Sequence, residues 1–446
     1  MKVANILLVV SAVMLTGTVV ADSDVESFRT KFLNDDLRWS QIEDRARQEA
    51  EVHFYYWGGD DNLNIWIDSI VVQEMNKLGV KLIPHRITAT KDVVDLALAE
   101  KNAGKGLGQG SVDVVWVNGE NFYTLAQQNL LFGSFAERLP ESIHYEWSDS
   151  DSRSQLNKFD FGFETLGREM PWSGEQYVCA ANRELLPVSD TPNTYKELES
   201  WLQENPGLFT YVKPPHYLGN TFVQQVLYEM NPYGTGALPF QRNLASFTAK
   251  EFSELVRPGF DYLNRIAPNL ANVSQGSPRY PENDAALMNL FRNSEIAIEC
   301  QFGLFHVANL KRQGKMPDSA EEIILPSGNM IKNKNYLALI GNAPNPAASL
   351  VFINYMSSFD AQKDKIDLVG YPVGLDSWTL NKSQQDELDA VTPPHYGLTQ
   401  ADLDSNIAPD TNASLVNLIE HIWIKTVEQK GTQNIESLVE TYMSQQ

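Results

Sequence analysis

Cysteine is scarce in this chain, which has only Cys179 and Cys300 among its 446 residues. A framework of several disulfides, of the kind that holds small secreted domains together, is therefore excluded. The chain also lacks the composition of a disordered or collagen-like protein, since 43% of its residues are apolar and 10% are aromatic. These proportions predict a globular protein with a sizeable core, and the length favours two or three domains of roughly 100–200 residues each.

Positive charge is scarce as well, because 35 lysines and arginines stand against 57 acidic residues and give a net charge of -22. A surface this negative repels phosphate backbones and anionic lipid headgroups. We therefore expect neither a nucleic-acid partner nor attachment to a membrane surface.

Long apolar runs are absent except at the N-terminus, where Met1-Lys2 precedes an almost wholly apolar stretch from Ile6 to Val20. Val19-Val20-Ala21 fits the small-x-small rule for cleavage, so residues 1–21 are predicted to be a signal peptide. A retained membrane anchor is the alternative, but the stretch is shorter than the roughly 20 residues that span a bilayer. No cysteine lies near the cleavage site. The sequence therefore predicts an exported, soluble protein without a lipid anchor.

Recognisable catalytic motifs are missing. The glycine-rich segment Gly104 to Gly110 has neither the spacing of a dinucleotide-binding turn nor the Gly-Lys-Ser/Thr ending of a phosphate loop. There is no Gly-x-Ser-x-Gly elbow, and the seven histidines form no His-Glu-x-x-His motif. We therefore predict no enzyme, no cofactor and no metal site. An exported enzyme whose active-site residues are dispersed in sequence is the alternative.

What the sequence does contain is an alternation of strands and helices. Val52 to Trp57, Val80 to Ile83 and Val112 to Val117 are typical of strands, whereas Leu63 to Leu78 and Asp92 to Ala99 have helical spacing. This order predicts a parallel sheet covered by helices on both faces. A second α/β unit is predicted to begin near residue 176.

Parallel units of this kind place ligands at the carboxyl ends of their strands. Aromatic, amide and acidic residues are found at these ends and at predicted helix starts, a combination that suits a small-molecule cleft. The predicted ligand-binding residues are Trp57, Gly58, Asn118, Glu120, Asn121, Trp172, Glu175, Tyr217, Asn220 and Phe302. Taken singly, Trp57 and Trp172 fit a core position better than a ligand contact.

The two cysteines each lie in a strand-like run. A bridge between them would close a loop of about 120 residues, which the chain-entropy model counts as strongly stabilising. Two separate buried thiols, which behave as small apolar groups, are the alternative.

Three parts of the chain resemble a known family. The segment from Asn345 to Met356, which follows the strand Tyr336 to Ile340, resembles the most recognisable helix of extracellular solute-binding proteins (family 1, maltose- and polyamine-type) of ABC importers. Asp113 to Phe122, and Thr194 to Leu198 with Pro206 to Pro215, resemble the YnjB-type branch of that family more closely. The similarity runs from about Glu51 to the C-terminus.

The resemblance implies an α/β, two-lobed type II periplasmic-binding-protein fold with a hinge between the lobes. The first lobe would hold residues 24–174 and 331–360, and the second 175–330 and 361–446. The hinge would lie near 172–177 and 329–335. The resemblance also implies that Cys179 and Cys300 lie on neighbouring strands, which favours the disulfide.

The function that the resemblance implies is capture of a small organic solute between the lobes in the periplasm. The protein, a monomer, would then deliver it to an ABC permease in the inner membrane, and a separate subunit would supply the ATPase. A binding protein that signals to a receptor is an alternative. The ligand remains open: the aromatic residues and Glu120 or Glu175 suit a ring or an amine, amide groups suit a sugar, and free helix amides over Lys213 to Asn220 would suit an anionic group.

Overall fold

The computed structural model describes residues 16–148, 154–271, 278–325, 330–404 and 406–445, without the side chains of residues 16–23 and 404. Most of the predicted signal peptide lies outside these ranges, and its residues 16–21 form the start of the first helix. Within the described ranges, no helix combines the length and the apolar character needed to cross a membrane.

Ten strands lie within the described ranges. In chain order they are β1 (Glu51–Trp57), β2 (Lys81–Ile87), β3 (Val114–Val117), β4 (Phe159–Asp160), β5 (Phe163–Glu164), β6 (Glu169–Asn182), β7 (Ile298–Phe302), β8 (Ala320–Ile323), β9 (Met330–Leu339) and β10 (Ile407–Ala408).

Eighteen α-helices lie in the same ranges. They are α1 (Thr16–Leu33), α2 (Trp39–Glu49), α3 (Asp61–Trp66), α4 (Val72–Lys77), α5 (Thr90–Asn102), α6 (Gly119–Gln127), α7 (Gln155–Lys158), α8 (Tyr195–Glu204), α9 (Tyr217–Glu229), α10 (Ala249–Ile266), α11 (Asp284–Arg292), α12 (His306–Arg312), α13 (Pro346–Met356), α14 (Phe359–Leu368), α15 (Lys382–Val391), α16 (Gln400–Asp404), α17 (Ala413–Trp423) and α18 (Ile435–Met443).

The first strands and helices form for the reasons that the sequence suggests. In β1 the side chains alternate, with Val52, Phe54 and Tyr56 fully buried and their neighbours half-buried, as expected of a sheet whose one face is more covered than the other. The helix predicted over Leu63 to Leu78 is present as α3 and α4, joined through a π-helical turn. It begins where the Asp60 carboxylate accepts a hydrogen bond from the Leu63 backbone, which satisfies a free amide of the first turn.

The main sheet has the strand order β2-β1-β3-β9-β6-β7. The parallel pairing predicted for the first three strands is confirmed, since β1 pairs in parallel with both β2 and β3. The sheet as a whole is mixed, because β9 runs antiparallel to β3 and to β6. β7 and β8 then add to the far end of β6, also antiparallel.

Strands β6 and β9 connect the two halves of the molecule. The first three residues of β6 pair with the end of β9 beside β3, and residues 173–176 pair with residues 332–335. Residues 177–182 then pair with β7 and β8. The pairing register shifts between Pro171 and Ser173, so that Trp172 forms a bulge at the point where β6 leaves the first half.

The apolar core is divided in the same way. Helices α2 and α13 cover one face of β1 and β3, and α5 and α6 cover the other, as predicted for a sheet enclosed on both faces. A separate core surrounds the end of β6 with α8, α9, α10 and α17. The buried side chains of Ile366, Val369, Leu375, Leu380, Leu388 and Leu403 belong to the first of these cores, not to the second.

The two cysteines form a disulfide, which answers the question that the sequence left open. Cys179 on β6 lies directly opposite Cys300 on β7 in the antiparallel register. The bond therefore joins two chain segments that are 121 residues apart in the core of the second half.

Candidate functional site

One wall of the candidate site is built where β1 and β3 end. Because these strands are parallel neighbours, Trp57, the last residue of β1, and Asn118, the first residue after β3, lie at the same edge of the sheet. The half-buried Trp57 ring meets the ring of Trp116 edge-on, with 6.4 Å between centroids. The Gly59 backbone lies so close to the Trp57 indole that a β-carbon there would overlap it. The turn after β1, with Gly58 and Gly59, thus lets the indole fold over its own loop.

Helix α6 starts at this edge and carries Glu120 into the site. Gly119 adopts a positive φ of 60°, and its amide donates a 2.6 Å hydrogen bond to the buried Asp160 carboxylate. Glu120 follows with an exposed side chain, and Asn121 is half-buried next to it. The helix N-terminus is therefore already occupied by acidic side chains, which its dipole stabilises.

Both crossing strands contact this wall. The Asn118 amide donates a 2.9 Å hydrogen bond to the side chain of Asn335 on β9. The ring of Trp116 meets that of Trp172 on β6 edge-on at 5.0 Å. Trp172 is fully buried, with the Lys365 ammonium 4.7 Å from its ring centroid. Of the predicted ligand contacts, Trp172 therefore lies behind Trp116, out of reach of solvent.

The opposite wall is the start of α9. Tyr217 is 52% exposed, and its ring has stacking contacts with His216, at 4.5 Å, and with Phe302, at 6.3 Å. Phe302 ends β7 and is half-buried. The first turn of α9 is capped, because the Leu218 amide donates to Nδ1 of His216.

Asn220 links this wall to α17. It is only 8% exposed, and its amide nitrogen donates a 2.6 Å hydrogen bond to the Glu420 carboxylate and a 3.3 Å bond to the Pro215 carbonyl. Its amide oxygen accepts no hydrogen bond from the described residues. Glu420 is half-buried on a helix that packs against both α6 and α9.

Glu175 lies between the walls on β6. Its carboxylate accepts a 3.1 Å hydrogen bond from the Leu304 backbone. Burial raises its pKa to about 7, and Lys365 and His306 oppose that rise. Tyr371, half-buried in the loop after α14, interacts electrostatically with Glu175 and with Tyr217. Tyr371 also interacts with Asp60, in the turn that follows Trp57. Tyr371 therefore lies close to residues of both walls.

The carboxylates of Glu120, Asp410 and Glu420 share a desolvated environment. Burial raises the pKa of Asp410 to about 8 and that of Glu420 to about 7, and the charge of Glu120 adds to both rises. The pKa of Glu120 is also raised by desolvation, although its side chain is exposed. A side chain that solvent reaches while protein surrounds it on most sides lies in a concave site. The same holds for Tyr217, since the residue is 52% exposed while desolvation raises the pKa of its hydroxyl.

The structure places most of the predicted residues in the two walls of the candidate cleft or between them, together with four residues that were not predicted from the sequence. The predicted members in or between these walls are Trp57, Gly58, Asn118, Glu120, Asn121, Glu175, Tyr217, Asn220 and Phe302. The residues that were missed are Trp116, Tyr371, Asp410 and Glu420. Glu420 had a usable signal, since it is the one acidic residue of the largely apolar helix α17. Asp410 and Tyr371 lie in loops, where no sequence pattern marked them as site residues.

Other features of the described ranges do not form a second site of comparable chemistry. No group of three or more metal-type side chains there is arranged to hold a metal ion. The pairs His306–Glu299, at 2.7 Å, and His395–Glu322, at 3.0 Å, join largely buried side chains. A groove of about 600 Å³ between α12 and residues 391–396 contains none of the predicted site residues.

Comparison with known proteins identifies the family. The family model described as bacterial extracellular solute-binding protein matches residues 72–389. The chain belongs to this family. It is also 30% identical over 388 residues to the protein YnjB of Escherichia coli K12, which covers 86% of this chain and 93% of that protein.

Solved structures of binding proteins share the two-lobed α/β fold. An ABC transporter protein from Clostridium perfringens superposes with a TM-score of 0.57 at 12% identity, covering 85% of this chain and 99% of the other. The periplasmic binding protein AfuA from Actinobacillus pleuropneumoniae, with fructose-6-phosphate bound, gives a TM-score of 0.54 at 13% identity over 85% and 98% of the chains. The fold class predicted from the sequence is thereby confirmed for this solute-binding protein.

Proposed function

We propose that the protein is the periplasmic solute-binding component of an ABC importer, which captures a small organic solute in the cleft and delivers it unchanged to a permease in the inner membrane. The observation that carries this proposal is the environment of Glu120 and Tyr217. Both side chains are open to solvent, yet both are desolvated by the protein around them. They belong to opposite walls, so a solute between them would contact both.

The two walls belong to different lobes in this proposal. The first lobe comprises residues 24–174 and 331–403, and the second 175–330 and 404–446. The boundary near residue 403 replaces the boundary near 360 that the resemblance implied, because the buried side chains from Ile366 to Leu403 share the core of β1. The hinge lies where β6 and β9 cross, near 172–177 and 330–335.

Capture requires only that the closed form binds the solute better than the open form. A solute that contacts both walls gains contacts on closure, and this difference shifts the population towards the closed form. The protein acts as a monomer and without a nucleic-acid partner. Membership of a family of binding proteins supports capture without chemistry.

A thermal-shift screen of the protein tests the proposal, with amines, sugars, amino acids, peptides, vitamins and metal ions as separate classes. A solute at a hundred times its dissociation constant adds about 2.7 kcal/mol to stability, which raises the melting temperature by a few degrees. We expect one class to do so and the compound to be recovered unchanged by mass spectrometry. A compound that stabilises the protein but is consumed during incubation would show an enzyme instead.

A further inference from the structure

Three acidic side chains converge in the cleft from separate parts of the chain. Glu120 is at the N-terminus of α6, Glu420 is on α17, and Asp410 precedes α17. The charge of Glu120 acts on both other carboxylates, and helix α17 packs directly against α6. Such a cluster costs stability, because each desolvated negative charge disfavours its neighbours.

No basic side chain of the described residues favours the charged form of any of these three carboxylates. The groups that favour the charged form of Asp410 and Glu420 are the amides of Asn333 and Asn220 and the backbone. The neighbouring Glu175 differs, since Lys365 and His306 both favour its charged form. A basic side chain therefore accompanies Glu175, whereas none within the described ranges acts on Glu120, Asp410 or Glu420.

A second observation points to a missing hydrogen-bond donor. Asn220 is 92% buried, and its nitrogen is committed to Glu420. Its oxygen accepts no hydrogen bond from the described residues, although a buried acceptor without a donor is unfavourable. An unsatisfied acceptor beside a carboxylate suits a ligand group that donates several hydrogen bonds and carries positive charge.

The helix N-termini do not favour an anion here. The sequence suggested that free amides over Lys213 to Asn220 would take an anionic group, but the first turn of α9 is capped by His216. The N-terminal amide of α6 at Gly119 already donates to Asp160. A bound anion would also lie close to Glu120 and Glu420, and their charges would repel it.

Aromatic rings complete the cleft beside this acidic region. Tyr217 precedes Asn220 by three residues on α9, so both lie on the same face of the helix. The Tyr217 ring is exposed and backed by Phe302. An exposed ring of this kind attracts a cation at its face and an apolar group by contact.

We propose that the solute of this cleft carries a positively charged amine, which is held by Glu120, Glu420 and the Asn220 oxygen, and an apolar part that lies against Tyr217. This inference rests on the proposed function and names the class of solute that it captures.

Matched pairs of probes test the inference in a thermal-shift and calorimetric assay of the whole protein. Each pair differs in charge but hardly in shape: benzylamine against benzyl alcohol, and choline against dimethylbutanol, its uncharged carbon isostere. A wider set of diamines and amino alcohols, with benzoate as the anionic control and calcium chloride as the metal control, completes the panel. We expect at least one amine to raise the melting temperature by a few degrees and its neutral partner to leave it unchanged.

Variants locate the amine. Glu120→Gln and Glu420→Gln keep the size and the acceptor oxygen of each side chain but remove its charge, so each is expected to weaken amine binding at least about tenfold. Glu204→Gln, at an exposed position on α8, is the matched control and should bind as the wild type does. Cooperative thermal unfolding of the unliganded variants, with melting temperatures no lower than that of the wild type, shows that they fold.

The outcomes separate this inference from the proposed function. A panel in which no amine stabilises the protein overturns the inference, and so does amine binding that survives both Glu120→Gln and Glu420→Gln. Stabilisation by neutral or anionic compounds alone, or by calcium alone, also overturns it but leaves capture standing. Chemical conversion of a bound amine would overturn capture and leave the amine assignment intact.

Discussion

At the scale of single residues, the cleft differs from the core in the combination of exposure and desolvation. Trp172 and Tyr177 are aromatic residues like Tyr217, but both are buried and pack in the core. Tyr217 is open to solvent, although the surrounding protein raises the pKa of its hydroxyl. An exposed ring held in a concave site contributes little to the core, and its loss is therefore expected to affect binding more than folding.

Substitution of Tyr217 tests this distinction. We expect Tyr217→Ala to weaken solute binding about tenfold, because it removes an aromatic contact, and to change the melting temperature little. Tyr233→Ala is the control, since Tyr233 is 61% exposed and contributes to neither wall of the cleft. Isothermal titration with the solute found in the screen measures both affinities. Normal binding by Tyr217→Ala, or an equal loss in both variants, would contradict the assignment.

The acidic residues predict how stability depends on pH. Asp410 and Glu420 have pKa values of about 8 and about 7 in the folded protein, above the usual carboxyl value of about 4. Between these values the folded chain keeps protons that the unfolded chain has released. Their contribution to stability is therefore fully retained below about pH 4 and becomes unfavourable as the pH rises to 8.

Urea unfolding of the unliganded protein at pH 5 and at pH 8 measures this effect. We expect Glu420→Gln to be more stable than the wild type at pH 8 and much closer to it at pH 5, since the variant lacks one of the titrating groups. Glu204→Gln should follow the wild type at both values. A Glu420→Gln variant that is less stable than the wild type at pH 8 would contradict the desolvation of this carboxylate.

At the scale of secondary-structure elements, buried lysines hold β6 and β9 in place where these two strands pass between the halves of the molecule. Lys334 on β9 donates to the Asp376 carboxylate at 2.7 Å, to the Asn157 side chain at 2.7 Å and to the Gly374 carbonyl at 2.8 Å. Lys365 donates to the Trp172 carbonyl at the bulge of β6. Lys365 belongs to α14 of the proposed first lobe, and Lys334 binds Asp376 and Gly374 of that lobe. The two lysines therefore attach β6 and β9 to the proposed first lobe.

Removing the partner of Lys334 is expected to be costly. Asp376→Ala leaves a buried ammonium without its counter-charge, which typically costs about 3–5 kcal/mol. The control is Glu387→Gln, which removes an ion pair with Lys363 that solvent screens, so little stability is lost. Urea unfolding of both variants measures the difference. Equal stability of the two variants would show that the Lys334 pair does not hold the crossing.

Elements with a local sequence pattern could be predicted. The alternation of buried and half-buried side chains in β1 and the helical spacing of Ile67, Ile70 and Val71 both follow from burial of one face, and both elements were predicted correctly. The antiparallel place of β9 between β3 and β6 was not predicted from the residues themselves, because its partners are more than 150 residues away. Local patterns carry no information on such pairings.

At the scale of the whole molecule, the site is assembled from segments that are far apart in sequence. Glu120 and Glu420 are 300 residues apart in sequence. They come close together because their helices, α6 and α17, pack against each other. Residues at the ends of β1 and β3 were predicted because strand ends are recognisable in sequence. Asp410 and Tyr371 were not, because only the packing of the two halves brings their loops to the cleft.

Closure of the two lobes on a bound solute is the central claim, and a distance across the cleft measures it most directly. The two native cysteines are bonded to each other, so Asp61→Cys and Glu282→Cys, at exposed positions beside opposite walls, offer the only thiols for spin labels. A second labelled pair, Asp61→Cys with Glu137→Cys, lies within the proposed first lobe and serves as the control.

With saturating solute, we expect the distance distribution between labels at 61 and 282 to shift to shorter values, while that between 61 and 137 stays unchanged. Recovery of the solute unchanged from the same sample completes the measurement. A bound solute that leaves the distance across the cleft unaltered, or that is converted to another compound, would contradict capture by closure.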